Sequence, residues 1–281
     1  MTEPEDVDHA PESEEWRGVL TGTAPYIAKW RRRFIALPSP PRCKVCAAPF
    51  AGPGRFVTRL TGHRVIPGNP LLCNRCLDSL ARHPGGAEVD VSVLFADIRG
   101  STGLAEKVGA ARFRQLLQSY YATASAAIEA SDGIVDKLLG DGVMALFIPV
   151  IAGENHRLRA IEAGRRVILA VEESDLPREG VRLGAGVQSG TTFVGVLGSG
   201  DKLDFSALGD VVNTAARLGA MAGPGELLVA ADAWRAAGLS GDGLVARMTP
   251  IAGRTNELEM FALSGPALIG VLEPARMKNR T

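Results

Sequence analysis

The sequence predicts an α+β fold, a mixed sheet covered by helices on one face, preceded by a small loop-rich module. Three observations predict it. From residue 88 onward, short apolar strand-like runs alternate with amphipathic helical stretches, and some of the runs adjoin as hairpins. Before residue 85 the chain is instead rich in Pro and Gly and carries all four cysteines in two tight pairs, Cys43/Cys46 and Cys73/Cys76. With 281 residues, 46% of them apolar, there is material for one large or two modest domains with a packed core.

Lys plus Arg and Asp plus Glu both number 31, so the formal net charge is zero. That balance gives no electrostatic argument for nucleic acid or an anionic membrane as the main partner. No segment approaches the run of about 18–20 apolar residues that spans a bilayer. The start, Met-Thr-Glu-Pro-Glu-Asp, lacks the basic and apolar regions of a signal peptide. A cytoplasmic protein is expected.

Residues 1–15 are acidic and poor in apolar groups, the composition of a disordered tail. Residues 16–41 read as an amphipathic helix and linker. Thr23 is a candidate cap, Pro25 sits just inside the start, and Ile27, Trp30, Phe34 and Leu37 recur at helical spacing. Residues 42–84 hold the cysteine pairs between Gly/Pro turns, and a hinge follows at "ARHPGGAE". Then "EVDVSVLFADI" reads as a buried strand and residues 110–131 as a helix, with Phe113, Leu116, Leu117, Tyr120, Ala124, Ala127 and Ile128 on one face. "GIVDKLLGDGVMALFIP" gives two strands joined at Gly-Asp-Gly. Residues 154–173 form a second helix and residues 181–199 two more strands. "GDVVNTAARLGAM" forms a third helix, and "ELLVA" and "ELEMFAL" are closing strands. The large domain is expected over 88–264 and a C-terminal tail over 265–281.

The first of these strands is strongly apolar yet ends on a carboxylate, Asp97, with Gly100, Ser101 and Thr102 behind it. The plain explanation is a strand exit with Ser101 or Thr102 capping the next helix. The alternative is a strand end and helix N-terminus that together hold a metal ion and a phosphate. Asp141 sits at the predicted hairpin tip, where an Asp before Gly ordinarily just supports the turn. Together the two carboxylates suit hard cations such as Mg²⁺. Asn213 and Arg217 lie four apart and share one helix face. That pair is either a solvated surface or an amide for a ribose and a guanidinium for a phosphorane-like transition state.

"VSVLFADIRGST", "VDKLLGDGVMALF" and "ALGDVVNTAARL", in this order, resemble the catalytic domain of the class III nucleotidyl cyclases over about residues 88–264. The resemblance implies a ferredoxin-like α+β domain working as a head-to-tail homodimer with nucleotide sites at the interface. It implies that Asp97 and Asp141, joined by the backbone carbonyl of Ile98, hold two Mg²⁺ or Mn²⁺ ions per site. Asn213 then orients the ribose, Arg217 stabilises the transition state, and Lys137 and Ser206 read the base. In each site the aspartates come from one subunit and Lys137, Asn213 and Arg217 from the other. Because an ammonium only donates, Lys137 suits the N1 acceptor of adenine, whereas Ser206 both donates and accepts and discriminates weakly. Family members commonly carry a phosphate-binding lysine before a glycine near the last strand. Here that position is Ala252, and Arg254 is the candidate replacement. The implied reaction converts ATP to 3′,5′-cyclic AMP and pyrophosphate, without a protein nucleophile. A guanylyl cyclase and a non-catalytic cyclase-like nucleotide sensor are the alternatives.

In a cytosolic chain, paired C-x-x-C reads as a metal site before it reads as disulfides. Cys43, Cys46, Cys73 and Cys76 supply a complete tetrahedral set for structural Zn²⁺ in a zinc-ribbon-like module, with an iron–sulfur cluster as the alternative. Such a module, set against the hinge, is expected to regulate the enzyme. A ribbon that grips nucleic acid is the rival role for it, which the neutral net charge does not encourage.

Overall fold

The computed structural model describes residues 14–37, 42–43, 45–66, 69–76, 78, 85–199, 202–250 and 257–270. The chain divides into two compact units. One comprises the residues before Asp90 together with Phe193–Ala207, the other Asp90–Thr192 together with Leu208 onward.

The first unit contains helices α1 (Glu14–Thr21), α2 (Pro25–Ile35) and α3 (Gly54–Leu60) and a hairpin of β1 (Val65–Ile66) and β2 (Asn69–Cys73). Helix α1 begins inside the stretch expected to be a tail, so two helices stand where the periodicity predicted one. Thr23 is not the cap. Ala24 precedes α2 without a side-chain bond, and the Thr23 hydroxyl lies 2.9 Å from that of Thr21 instead. The apolar stripe of α2 is spent as its spacing predicts. Ile27 and Phe34 are buried, and Trp30 and Phe34 stack at 5.3 Å with the His63 ring against both. Trp16 of α1 stacks on Phe205 at 6.4 Å.

Two long strands, β3 (Gly86–Ile98) and β6 (Leu183–Ser199), run from one unit into the other, and β7 (Lys202–Leu208) pairs with β6. Residues 181–199, expected as two strands, are thus mostly one. Its glycines serve close approach of backbones. A Cβ on Gly195 would meet the Gly85 carbonyl oxygen at 2.3 Å, beside the Val196 N–H that donates to it.

The second unit adds α4 (Ser101–Val108), α5 (Ala110–Ala130), β4 (Ile134–Leu139), β5 (Gly142–Phe147), α6 (Pro149–Ala152) and α7 (His156–Glu172). These are followed by α8 (Asp210–Met221), β8 (Glu226–Ala230), α9 (Ala231–Ala236), β9 (Val245–Thr249), β10 (Leu258–Ser264) and α10 (Pro266–Ile269). The last helix falls in the expected C-terminal tail. The strand order is β4-β5-β3-β6-β8-β10-β9, antiparallel in both outer pairs on each side and parallel between β6 and β8. The expected mixed α+β sheet is therefore present. Helices flank both of its faces, not one. A Cβ on Gly164 of α7 would lie 3.4 Å from Leu94, and one on Gly219 of α8 would lie 3.1 Å from Phe95. Successive strand residues point to opposite faces, so α7 and α8 cover opposite sides. Helix α8 approaches β6 so closely that a Cβ on Gly186 would meet the Gly219 nitrogen at 2.1 Å. The α7 side holds the main core of Leu94, Tyr120, Ile128, Phe147, Ile161 and Ile168.

A polar cluster crosses that core. His156, the first residue of α7, is buried, with Nδ1 2.8 Å from Ser92 Oγ, which in turn lies 2.7 Å from Ser189 Oγ. Its Nε2 is 3.9 Å from Asp90, which is also paired with Arg157. Burial pushes the imidazole down to about 4 from 6.5, and a helix N-terminus also disfavours its positive charge. Between those values the unfolded chain binds the proton and the folded chain does not, so stability falls as pH drops through this window. The slope is at most about 1.4 kcal/mol per pH unit. Urea unfolding of the wild type and His156→Gln across pH 6.5 to 4 checks this, the variant lacking that part of the slope.

Candidate active site

The residues around Asp97 are arranged by strand register. Asp97 is the penultimate residue of β3 and pairs with Gly142, the first residue of β5. The β4–β5 connection is the two-residue tip Gly140–Asp141, with Gly140 at φ +65°. Just beyond, the Ile98 N–H donates to the Asp141 carbonyl at 3.1 Å. The backbone therefore sets the two carboxylate-bearing residues side by side. Asp97 shares the parity of Phe95, so it points to the α8 side of the sheet.

Three side chains that sequence reasoning passed over support this corner. Tyr120, fully buried on α5, donates to the Ala96 carbonyl at 2.6 Å, and its neighbour Tyr121 donates to the Gly140 carbonyl. Adjacent tyrosines thus hold the peptides immediately before Asp97 and Asp141. Burial, with Asp141 nearby, pushes both phenols above their usual range, so they remain donors. Arg99 forms an ion pair with Asp97, and its Nη1 reaches the Ala220 and Ala222 carbonyls at the end of α8, at 2.8 and 3.3 Å. Its signal was present two residues after Asp97. The tyrosines gave less, since Tyr120 read as core and Tyr121 fell outside the apolar stripe.

Ser101 and Thr102 cap nothing. Gly100, in the left-handed conformation at φ +66°, is the residue before α4, without a side-chain cap bond. Lys137 lies on edge strand β4, half-buried, opposite Met144, with Asp136 at 3.4 Å. Asn213 and Arg217 stand exposed, four apart, on the face of α8 opposite buried Thr214, Ala215 and Leu218. Ser206 is buried on β7 in the first unit. Ala252 and Arg254 lie outside the described residues. The chain gathers the two carboxylates at one strand end and displays the amide and guanidinium separately on α8.

The sequence profile of the adenylate and guanylate cyclase catalytic domain matches residues 86–262. The chain belongs to this family. Members work on nucleotides, as dimers, with divalent metal ions. This cyclase domain is 32% identical over 133 residues to the terminal-differentiation specific adenylate cyclase of Dictyostelium discoideum, covering 45% of the chain. It is 30% identical over 139 residues to an adenylate cyclase of Anabaena cylindrica, covering 46%. The match spans only 6% and 26% of those two proteins. Among solved structures, the fold is shared with the guanylyl cyclase Cya2 at 21% identity and TM-score 0.59, over 70% of this chain and 98% of that one. It is also shared with the adenylyl cyclase CyaB from P. aeruginosa at 22% and 0.55, over 68% and 97%.

Ahead of the cyclase domain, the cysteine pairs converge. The Sγ atoms of Cys43, Cys46, Cys73 and Cys76 all lie within 4.8 Å of one another, an arrangement able to hold a metal ion. A tight turn closes the first pair, with the Ala47 N–H donating to Cys43 O and Ala47 at φ +62°. The Cys73 N–H points at Cys43 Sγ at 3.4 Å. Hydrogen bonds from the other three thiols hold Cys43 low, while the same crowding pushes Cys46 and Cys76 up. No helix among the described residues is long and apolar enough to cross a membrane.

The tyrosine contacts give a direct expectation. Tyr120→Phe removes this buried hydrogen bond and should cost about 1 kcal/mol, read from urea denaturation at unchanged m-value. Tyr121→Phe, at the partly exposed rim, should cost less.

Proposed function

We propose that the chain is an adenylyl cyclase, converting ATP to 3′,5′-cyclic AMP and pyrophosphate in sites shared by two copies of the chain. The observation that carries this reading is the adjacent placement of Asp97 and Asp141 at one strand end, in a cyclase-family domain whose base-reading position is Lys137. Two carboxylates and a main-chain carbonyl, that of Ile98, form a hard oxygen donor set, and a cation already meets Asp97 in the form of Arg99. When bound there, two Mg²⁺ or Mn²⁺ ions would activate the ribose 3′-hydroxyl and offset charge on the phosphates.

The protein's own groups do the rest. Lys137 donates to adenine N1, and Ser206 meets the exocyclic amine. Asn213 orients the ribose. The 3′-oxygen forms a bond to the α-phosphorus as the bond to pyrophosphate breaks, and Arg217 stabilises the charge that develops on the phosphorane. Arg254 serves the triphosphate in place of a lysine at position 252. Asn213 and Arg217, exposed on α8, are presented outward as sharing between subunits requires.

The cysteine set favours zinc. Around one tetrahedral ion with bonds of about 2.3 Å, thiolates lie ~3.8 Å apart. The Cys46–Cys73 separation is 3.8 Å, and all four sulfurs fall within 4.8 Å. An iron–sulfur cluster spreads its thiolates over several irons and needs wider spacing. We assign residues 42–84 to this module, 88–264 to catalysis, and the protein to the cytoplasm, where thiols stay reduced and available to a metal.

Mass-spectrometric product analysis with ATP or GTP and Mg²⁺ or Mn²⁺ tests the reaction. Cyclic AMP formation that Asp97→Ala abolishes supports it, and cyclic GMP alone overturns the role of Lys137. Asn213→Ala and Arg217→Ala should each lower turnover by about 10²–10³. Mixing Asp97→Ala with Arg217→Ala chains should restore activity through the one intact site of the heterodimer, and a dead mixture of proven heterodimers rejects shared sites. Zinc should co-purify with the wild type and be lost from Cys43→Ser.

A further inference from the structure

Net neutrality conceals a strong segregation of charge. Residues 16–82 carry twelve Lys and Arg against a single acid, Asp78, whereas residues 1–15 carry seven acids and no Lys or Arg. The segment that carries the cysteine module is therefore strongly cationic, although the first unit as a whole, with its acidic start, is close to neutral. Among its described basic residues, Lys29, Arg32, Arg33, Arg55, Arg59, Arg64 and Arg75 are all exposed.

Helix α3 concentrates an unusual surface within that unit. Its buried side is Gly54 and Thr58, and Thr58 Oγ1 donates to the Pro49 carbonyl at 2.9 Å. Its outward side places large apolar groups in water. Phe56 is 75% exposed and Leu60 89%, one helical turn apart, with Val57 and the nearby Val65 also exposed. Arg55 and Arg59 form the adjoining stripe. With Arg64 they line a cavity of about 310 Å³ that also takes in Thr58 and His63. Apolar side chains in the open, ringed by guanidiniums, are the pattern of an interfacial membrane site. The apolar groups enter the acyl boundary while the arginines meet lipid phosphates.

We propose that the α3 face of the cysteine module is a docking surface for an anionic lipid membrane, with Phe56 and Leu60 inserting and Arg55, Arg59 and Arg64 engaging phosphate headgroups. Charge complementarity selects this occupant. A second copy of the same face would set arginine against arginine. A nucleic acid would use the arginines but gain nothing from Leu60 or Val57, which offer no aromatic face for a base to stack on. The proposal stands independently of the cyclase reading, because none of these residues is placed in the nucleotide site.

Co-sedimentation of the full chain with vesicles tests it, using phosphatidylcholine alone or mixed with phosphatidylglycerol. Binding is expected to the anionic vesicles, to weaken as salt is raised, and to be slight on phosphatidylcholine. Each of Arg55→Ser and Arg59→Ser should weaken it about fivefold. The double variant F56S/L60S should weaken it by roughly tenfold or more, with cyclase activity in the absence of lipid unchanged. In a second readout, Phe56→Trp should gain a blue-shifted emission component on anionic vesicles that the wild-type tryptophans do not show. The proposal is overturned by absence of binding to anionic vesicles at low salt or by binding that survives F56S/L60S. It is also overturned if the position-56 tryptophan keeps its aqueous emission, or if duplex DNA or RNA is retained where vesicles are not.

Discussion

Asp97 pairs across the sheet with Gly142, and a slip of one residue in that register would turn its carboxylate into the apolar layer occupied by Leu94 and Ala96. The arrangement of the candidate site follows from preventing that slip. The hairpin between β4 and β5 is closed by two residues, and Gly140 takes the positive φ that such a tight tip demands. Gly142 has no side chain to press on Asp97, whose Cβ lies 3.2 Å from where its own Cβ would be. The Ile98 N–H and the two tyrosine hydroxyls then fasten three successive points of the two turns. Arg99 supplies a cation beside this pair of acidic positions, in direct ion pairing with Asp97.

Arg99 also explains how the carboxylate corner and helix α8 keep a fixed relation. Burial disfavours its charge, and the negative charge of Asp141 opposes that penalty. Its guanidinium finds Asp97 on one side and the terminal carbonyls of α8 on another, the end of a helix where a cation is favoured. The close approach at Gly186 and Gly219 seats the same helix directly on the sheet. Helix α8 is therefore clamped at its C-terminal end by charge and in its body by backbone contact. Asn213 and Arg217, nearer its start, are rigidly presented without being buried. That is the mechanical requirement for groups that would serve a site completed by a second chain.

Much of this was legible in the residues, for identifiable reasons. The strand ending at Ile98, the helix through Tyr120 and the Gly-Asp-Gly hairpin have strong periodicity and turn chemistry, and each stands where its pattern placed it. Short elements escaped. Helices α1, α3 and α9 and strand β9 have too few residues for a periodic signal, and α1 sits at the margin of an acidic stretch that reads as tail. Residues 181–199 misled because glycine marks both turns and close backbone contacts, and sequence alone does not say which. Asp97 and Asp141 were singled out through motif and chemistry. The bonds that position them were not, since a tyrosine hydroxyl reaching a carbonyl of another element is a tertiary fact. For the same reason Thr23, Ser101 and Thr102 looked like caps and are not. A capping residue type states a capacity, and the local backbone decides whether it is used.

The whole-chain charge was silent on its own distribution for a related reason. Zero net charge argues against a polyanionic partner only when the two signs are mixed over one surface, and here a run of 67 residues holds twelve of the cations and one of the acids. That segregation has a structural corollary. A run this cationic repels itself and gains from a staple. The four cysteines could furnish one by holding a metal ion. A dication bound by four thiolates would add net negative charge at the centre of the module, offsetting part of the surrounding repulsion while cross-linking the turns at Cys43–Cys46 and Cys73–Cys76. The metal site and the basic surface are on this argument a single design. A metal held at the centre would help the surface carry so many arginines beside the exposed Phe56 and Leu60.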